Sequence, residues 1–206
     1  MTDRTFIYKL EDKSYVVNVK CTAFQRSTYF RFKNGEFFIS TNRLTSNRAI
    51  IDGLDKFAKR LIRDNERRNK PAYSFTENYL YLFGERLEMS DDINEDNINK
   101  FLKKQLLNYL NAYVRVYEEK MNVKTPYKIS VRNMKTRFGS NSSRTHSLSF
   151  QLDLVHFSPE IIDSVIVHEL AHDFYRDHSS NFYNVIYKVC PNYWELKKKL
   201  RRRIYK

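Results

Sequence analysis

The chain has 206 residues, with 37 Lys and Arg against 24 Asp and Glu for a formal net charge of +13, and 41% of its residues are hydrophobic. That length buries a core without staples, and Cys21 and Cys190, far apart and outside any C-x-x-C, exclude a disulfide framework. No apolar run reaches membrane-spanning length and the first residues lack the pattern of a secretory leader, so the expectation is a cytoplasmic protein with reduced thiols and no membrane partner. The basic balance biases encounters toward nucleic acid, nucleotides or acidic protein surfaces, and carries no argument about chemistry.

Residues 15–20, 29–33 and 36–40 alternate apolar and polar side chains and read as antiparallel strands. Asn34 and Gly35 between the last two are the strongest short signal for a hairpin. Ile50, Ile51, Leu54, Phe57, Ala58, Leu61 and Ile62 recur at helical spacing, predicting an amphipathic helix from about 47 to 68. A second hairpin is expected across 74–89, turning near Gly84. Asp92 with Glu95 can cap a helix whose apolar stripe runs from Phe101 through Leu110 to Met121. Residues 127–131 and 145–155 have extended character, separated by a turn-prone stretch at 139–143. Ser158 followed by Pro159 marks the start of another helix, and 179–190 and 193–203 read as two more, ending in a basic tail. These elements divide into a β-rich region with one helix at 1–90 and a catalytic region at 91–206, expected to form one compact unit.

The helix opened by Pro159 carries His168, Glu169 and His172 as an H-E-x-x-H. Four residues advance a helix by about 400°, so the two imidazoles lie about 40° apart on one face and can reach one ion. Neutral imidazole suits zinc, and a catalytic site needs three protein ligands with one position left to water. Glu169, beside the first ligand, is placed to take a proton from that water. On a continuous helix His178 would stand roughly 80° off and three turns away, so the helix must end soon after His172, with the chain turning back through 173–177. His178 is then the preferred third ligand and Glu195 the alternative. The spacing matches the metzincin pattern, but Tyr175 occupies its glycine position and no methionine follows for a Met-turn, which argues against that class. His146 and His156 stand alone in strand-like surroundings and read as structural.

The H-E-L-A-H at residues 168–172, followed by His178 and Phe182, resembles the YgjP-like metallopeptidase domain family, a relative of the SprT and WLM zincins. Residues 134–142, M-K-T-R-F-G-S-N-S, resemble that family's segment M-K-x-R-W-G-S-C-S, with Phe138 in place of the tryptophan and Asn141 in place of the cysteine. The resemblance implies a zincin-like α+β fold, a zinc ion on His168, His172 and His178, and a position near the active cleft for the segment from Lys135 to Ser140.

Three functions are compatible with these residues. The first is a zinc metallopeptidase in which Glu169 activates the Zn-bound water, with Arg137, Tyr175 or His146 as candidates to stabilise the oxyanion. The second is a nucleoside triphosphate pyrophosphohydrolase using the same metal, with Lys135, Arg137 and Arg144 on the phosphates. The third is an SprT-like protease or adaptor associated with nucleic acid through the basic residues 197–206.

Overall fold

A computed structural model describes residues 3–69 and 71–206. Met1 and Thr2, the start of the stretch read for a leader, lie outside them. The chain divides into two compact units, Met1–Lys70 and Pro71–Lys206.

The first unit holds β1 (Arg4–Leu10), β2 (Lys13–Thr22), β3 (Tyr29–Lys33), β4 (Glu36–Asn42) and α1 (Asn47–Asn69). Asn34 and Gly35 have φ of 52° and 82°, the left-handed pair that a type I′ turn requires, and join β3 to β4 as expected. Two features differ from expectation. Residues 4–10 form a strand, and the sheet order β1-β2-β4-β3 sets β2 parallel to β4, so two hairpins meet side by side instead of forming an all-antiparallel region. The order follows side-chain character: Phe37 and Ile39 suit β4 to the sheet interior, while Arg31 and Lys33 suit β3 to an edge. Ile50, Leu54 and Ala58 of α1 pack with Val17, Val19, Phe37 and Ile39 in this unit's core.

The second unit begins with β5 (Tyr73–Ser74), β6 (Tyr79–Leu82) and β7 (Glu85–Leu87), a small antiparallel sheet. Phe83 and Gly84, with φ of 50° and 85°, turn the expected hairpin. Leu80 and Met89 are buried in the second core, and the Phe83 N–H donates to the Val155 carbonyl at 2.8 Å. The boundary therefore falls after Lys70 and not after residue 90, and two compact units stand where one was expected.

Helix α2 (Ile98–Lys120) buries Ile98, Leu102, Leu106, Leu110 and Val114. It starts later than Asp92 because Asn94 Oδ1 accepts the backbone N–H groups of Asp96 and Asn97, while Asn97 Nδ2 donates to the Asp92 carbonyl. These local bonds hold 92–97 as a turn outside the helix. A mixed sheet follows: β8 (Lys128–Arg132) is parallel to β10 (Ser147–Gln151), and β10 is antiparallel to β9 (Gly139–Ser142), which forms one edge. The stretch expected to be a turn at 139–143 is thus largely a strand, and the extended run ends at Gln151, giving way to a tight helical turn at Leu152–His156. His156 is structural, as expected: it is buried, and its Nδ1 lies 2.6 Å from the Tyr81 carbonyl.

Helices α3 (Pro159–Ala171), α4 (Ser180–Val189) and α5 (Tyr193–Arg201) complete an α+β unit. Ser158 stands at the N-cap of α3 with proline in the first turn; Ile161, Ile162, Val165, Ile166 and Leu170 are buried. Tyr109 and Tyr117 of α2 both donate to the Asp163 carboxylate, at 2.7 and 2.9 Å, tying α2 to α3. No helix among the described residues is long and apolar enough to cross a membrane.

The residues after α5 are docked and do not project as a basic arm. Arg203 donates to Asp153 at 2.9 Å, the Ser158 N–H donates to the Tyr205 carbonyl at 2.7 Å, and the buried Tyr205 ring packs against Tyr81 and Phe157. Tyr205→Ala is therefore expected to lower the unfolding free energy by about 3 kcal/mol, the cost of emptying an aromatic site. Chemical denaturation reads this directly, and an unchanged midpoint would contradict the docked tail.

Candidate metal centre

The site is assembled from three consecutive pieces of chain. Helix α3 closes at Ala171 with His172 as its C-cap, and the N–H groups of Asp173, Phe174 and Tyr175 return to the carbonyls of Leu170 and Ala171. This is the early stop that a third ligand requires. The chain then turns back and enters α4 behind Ser179, and His178, just before it, comes to face the other two histidines.

One ligand atom from each of His168, His172 and His178 lies within 4.8 Å of the others. His168 Nε2 and His178 Nε2 are 3.3 Å apart. A tetrahedral zinc with Zn–N bonds of about 2.0–2.1 Å sets neighbouring ligand nitrogens roughly 3.3–3.4 Å apart, so this pair fits one edge of such a site. Phe182, fully buried, lies beneath all three rings with centroid separations of 5.1, 4.7 and 4.8 Å to His168, His172 and His178.

Outer partners set the tautomers. The Tyr175 carbonyl can only accept, so His172 Nδ1 carries the proton and donates to it at 3.1 Å, leaving Nε2 as a lone pair. His168 Nδ1 lies 2.8 Å from Tyr193 Oη; in the tautomer that frees Nε2, Nδ1–H donates to the phenol oxygen. Burial first, then the charges of His172, Lys197 and His178, hold His168 down to about 3, and burial likewise lowers His172. Both rings are thus neutral near pH 7, the form that binds a metal.

Glu169 is 5% exposed and lines the same cavity, about 470 Å³, as the three histidines. Burial pushes its carboxyl up to about 7, against the opposing pull of Arg137 and the Asn141 backbone. A dication held by the histidines would draw it lower again. Its placement explains the adjacent strand: a Cβ on Gly139 would meet Glu169 Cγ at 2.7 Å and Cδ at 2.8 Å. Asn141 Nδ2 donates to the Glu169 backbone carbonyl at 2.8 Å. Contact with α3 on one side and pairing with β10 on the other make 139–142 a strand despite its turn-prone composition. Gly139→Ala is accordingly expected to displace the Glu169 carboxylate and lower turnover by roughly tenfold or more with metal content unchanged. Equal rates for variant and parent would contradict the close approach.

A model of the YgjP-like metallopeptidase domain matches residues 88–203. The chain belongs to the YgjP-like metallopeptidase domain family. The matched region contains the whole histidine cluster and Glu169, and membership implies a metal ion. No curated protein matches the chain. Among solved structures it is similar to the metallopeptidase zymogen of Pyrococcus abyssi abylysin, at 19% identity and a TM-score of 0.44 over 46% of this chain and 94% of that one. It is also similar to the zymogen of Methanocaldococcus jannaschii jannalysin, at 22% identity and a TM-score of 0.43 over 46% and 96%.

Of the residues of this YgjP-like domain considered for the oxyanion or the phosphates, Lys135, Arg137, Arg144, His146 and Tyr175, only Arg137 lines the cavity. Glu195 lies outside the histidine cluster. His146 stacks on Tyr127 at 3.9 Å between centroids, its Nε2 lies 2.8 Å from the Thr125 carbonyl, and it does not line the cavity. Lys135 lines a separate cavity with Gln151 and His156. Tyr175 meets His172 through its backbone carbonyl and does not line the cavity. Gly139, Asn141, Arg176 and Tyr193 were not anticipated individually; the first two lie in or beside the segment whose nearness to the cleft the family resemblance implied.

Proposed function

We propose that this protein is a zinc-dependent peptidase, with the ion held by His168, His172 and His178. Zinc held there would make a neighbouring water more acidic, lowering its pKa, and would polarise the scissile carbonyl. Glu169 accepts the proton of the attacking water and delivers it to the leaving amine. The neighbouring helix position points it about 100° from His168, poorly aimed for ligation but within reach of a water beside the histidines. Gly139 leaves room for this carboxylate and Asn141 fixes the backbone that carries it.

The observation that carries the peptide reading is the edge strand. Among the described residues β9 pairs with β10 on one side only, and its Gly139, Ser140 and Asn141 line the cavity with the histidines and Glu169. An extended peptide laid along that edge meets backbone donors and acceptors at the spacing it needs. The phosphoanhydride alternative has less support, because of Lys135, Arg137 and Arg144 only Arg137 lines the cavity.

The experiment is a product screen of zinc-loaded protein against denatured proteins, peptides and nucleoside triphosphates, with Glu169→Gln as the blank. Peptide fragments that disappear with the blank support the proposal. Nucleotide products alone would overturn it.

A further inference from the structure

A second cavity, of about 380 Å³, opens beside the metal centre and shares His168, Glu169 and His178 with it. Its outer wall is made by Phe138, Val165 and Leu200 together with three cations, Arg137, Lys197 and Arg201. Lys197 and Arg201 lie one turn apart on α5, a spacing of four residues that puts both on one face of the helix. Glu169 is the only carboxylate on the wall, and the proposed mechanism already uses it.

Among the described residues Lys197 and Arg201 have no counter-ion, and the carboxylate that acts on Arg137 is Glu169. Among the described residues, the ion pairs are Lys59 with Glu11, Arg115 with Glu118 and Arg203 with Asp153, none of which involves this cavity. The Lys197 ammonium rests instead on aromatic faces, 5.2 Å from the centroid of Tyr193 and 4.7 Å from that of Trp194. Burial, and then Arg201, hold it below the ordinary ammonium range, as expected for a cation that lacks an anion.

We infer that this cavity is an anion subsite for the substrate, in which Arg137, Lys197 and Arg201 take a carboxylate next to the bond being cleaved. The inference rests on the peptidase reading for the word substrate, though not for the binding itself. A carboxylate is small enough for the cavity and accepts two or more charge-assisted hydrogen bonds. The apolar side of the wall leaves room for the methylenes that carry it. Two sources supply that group, an Asp or Glu side chain and the C-terminal carboxylate of the peptide.

Trp194 is the chain's single tryptophan, so its emission reports on Lys197 directly. Four peptides separate the sources: Glu or Gln at the position beside the cleaved bond, each with a free or an amidated C-terminus. They are titrated into zinc-loaded protein by Trp194 emission, and cleavage is followed in parallel. At least one carboxylate-bearing peptide is expected to bind and be cleaved about tenfold better than the Gln amide, the range for a hydrogen-bonded charge. Which one does so identifies the source.

In Lys197→Gln/Arg201→Gln that ratio should fall toward one, while Lys197→Arg should preserve it. Equal binding of all four peptides, or a preference that survives the double variant, would overturn the subsite. Discrimination in binding without cleavage of any peptide would retain the subsite and reject the peptidase.

Discussion

Replacing Glu169 by glutamine is expected to leave the protein folded and metal-loaded while lowering hydrolysis by about a hundredfold or more, the usual consequence of removing a general base. Glutamine keeps the length of the side chain and occupies the space that Gly139 leaves open, where an added Cβ would already meet Glu169 Cδ at 2.8 Å. It cannot take a proton from water. Because Glu169 is buried against β9, the neutral amide also removes the cost of holding a charge there, so stability should not fall. Rate and metal content measured on one preparation distinguish the outcomes. Loss of metal would make Glu169 a ligand or a structural group, and undiminished turnover would place the base elsewhere.

The second large effect belongs to the ligands. His168→Ala and His172→Ala should each reduce metal affinity by more than about a hundredfold, because two remaining imidazoles no longer define a tetrahedral site. The two variants should differ in stability. His168 packs on the buried Phe182 and meets Tyr193 Oη, so its loss opens a space and leaves a buried phenol without a partner. His172, at the C-cap of α3, also packs on Phe182, but it is less buried than His168 and gives up only a bond to the exposed Tyr175 carbonyl. Melting curves of the metal-free proteins should therefore show the larger decrease for His168→Ala, and the reverse order would contradict the second-layer role given to Tyr193.

The histidine cluster was legible in the sequence because its residues are local. His168, Glu169 and His172 lie within one helical turn and a half, and the polar stretch after His172 marked the turn that returns His178. Residues whose role depends on distant chain segments carried no such signal. Tyr193 reaches His168 from the start of α5, and nothing in its own neighbourhood distinguishes it from a packed ring. The strand at 139–142 was read as a turn because glycine, serine and asparagine disfavour strands on their own. Its pairing with β10 and its contact with Glu169 outweigh that preference. The division of the chain shows the same limit: the hairpin at 73–87 looked like part of a β-rich first half, yet Leu80 and Met89 are buried in the second core. Of the two readings open for His146, structural or oxyanion-stabilising, its stack on Tyr127 fits the first, a contact that spacing along the chain does not reveal.

In the proposed site His168, His172 and His178 hold one zinc ion. Elemental analysis of protein purified without added metal, repeated after incubation with zinc and removal of the excess, tests it most directly. One zinc per chain is expected, falling to near zero in His168→Ala treated the same way. A parent protein that retains no zinc after loading, or a His168→Ala variant that retains as much as the parent, would contradict the account.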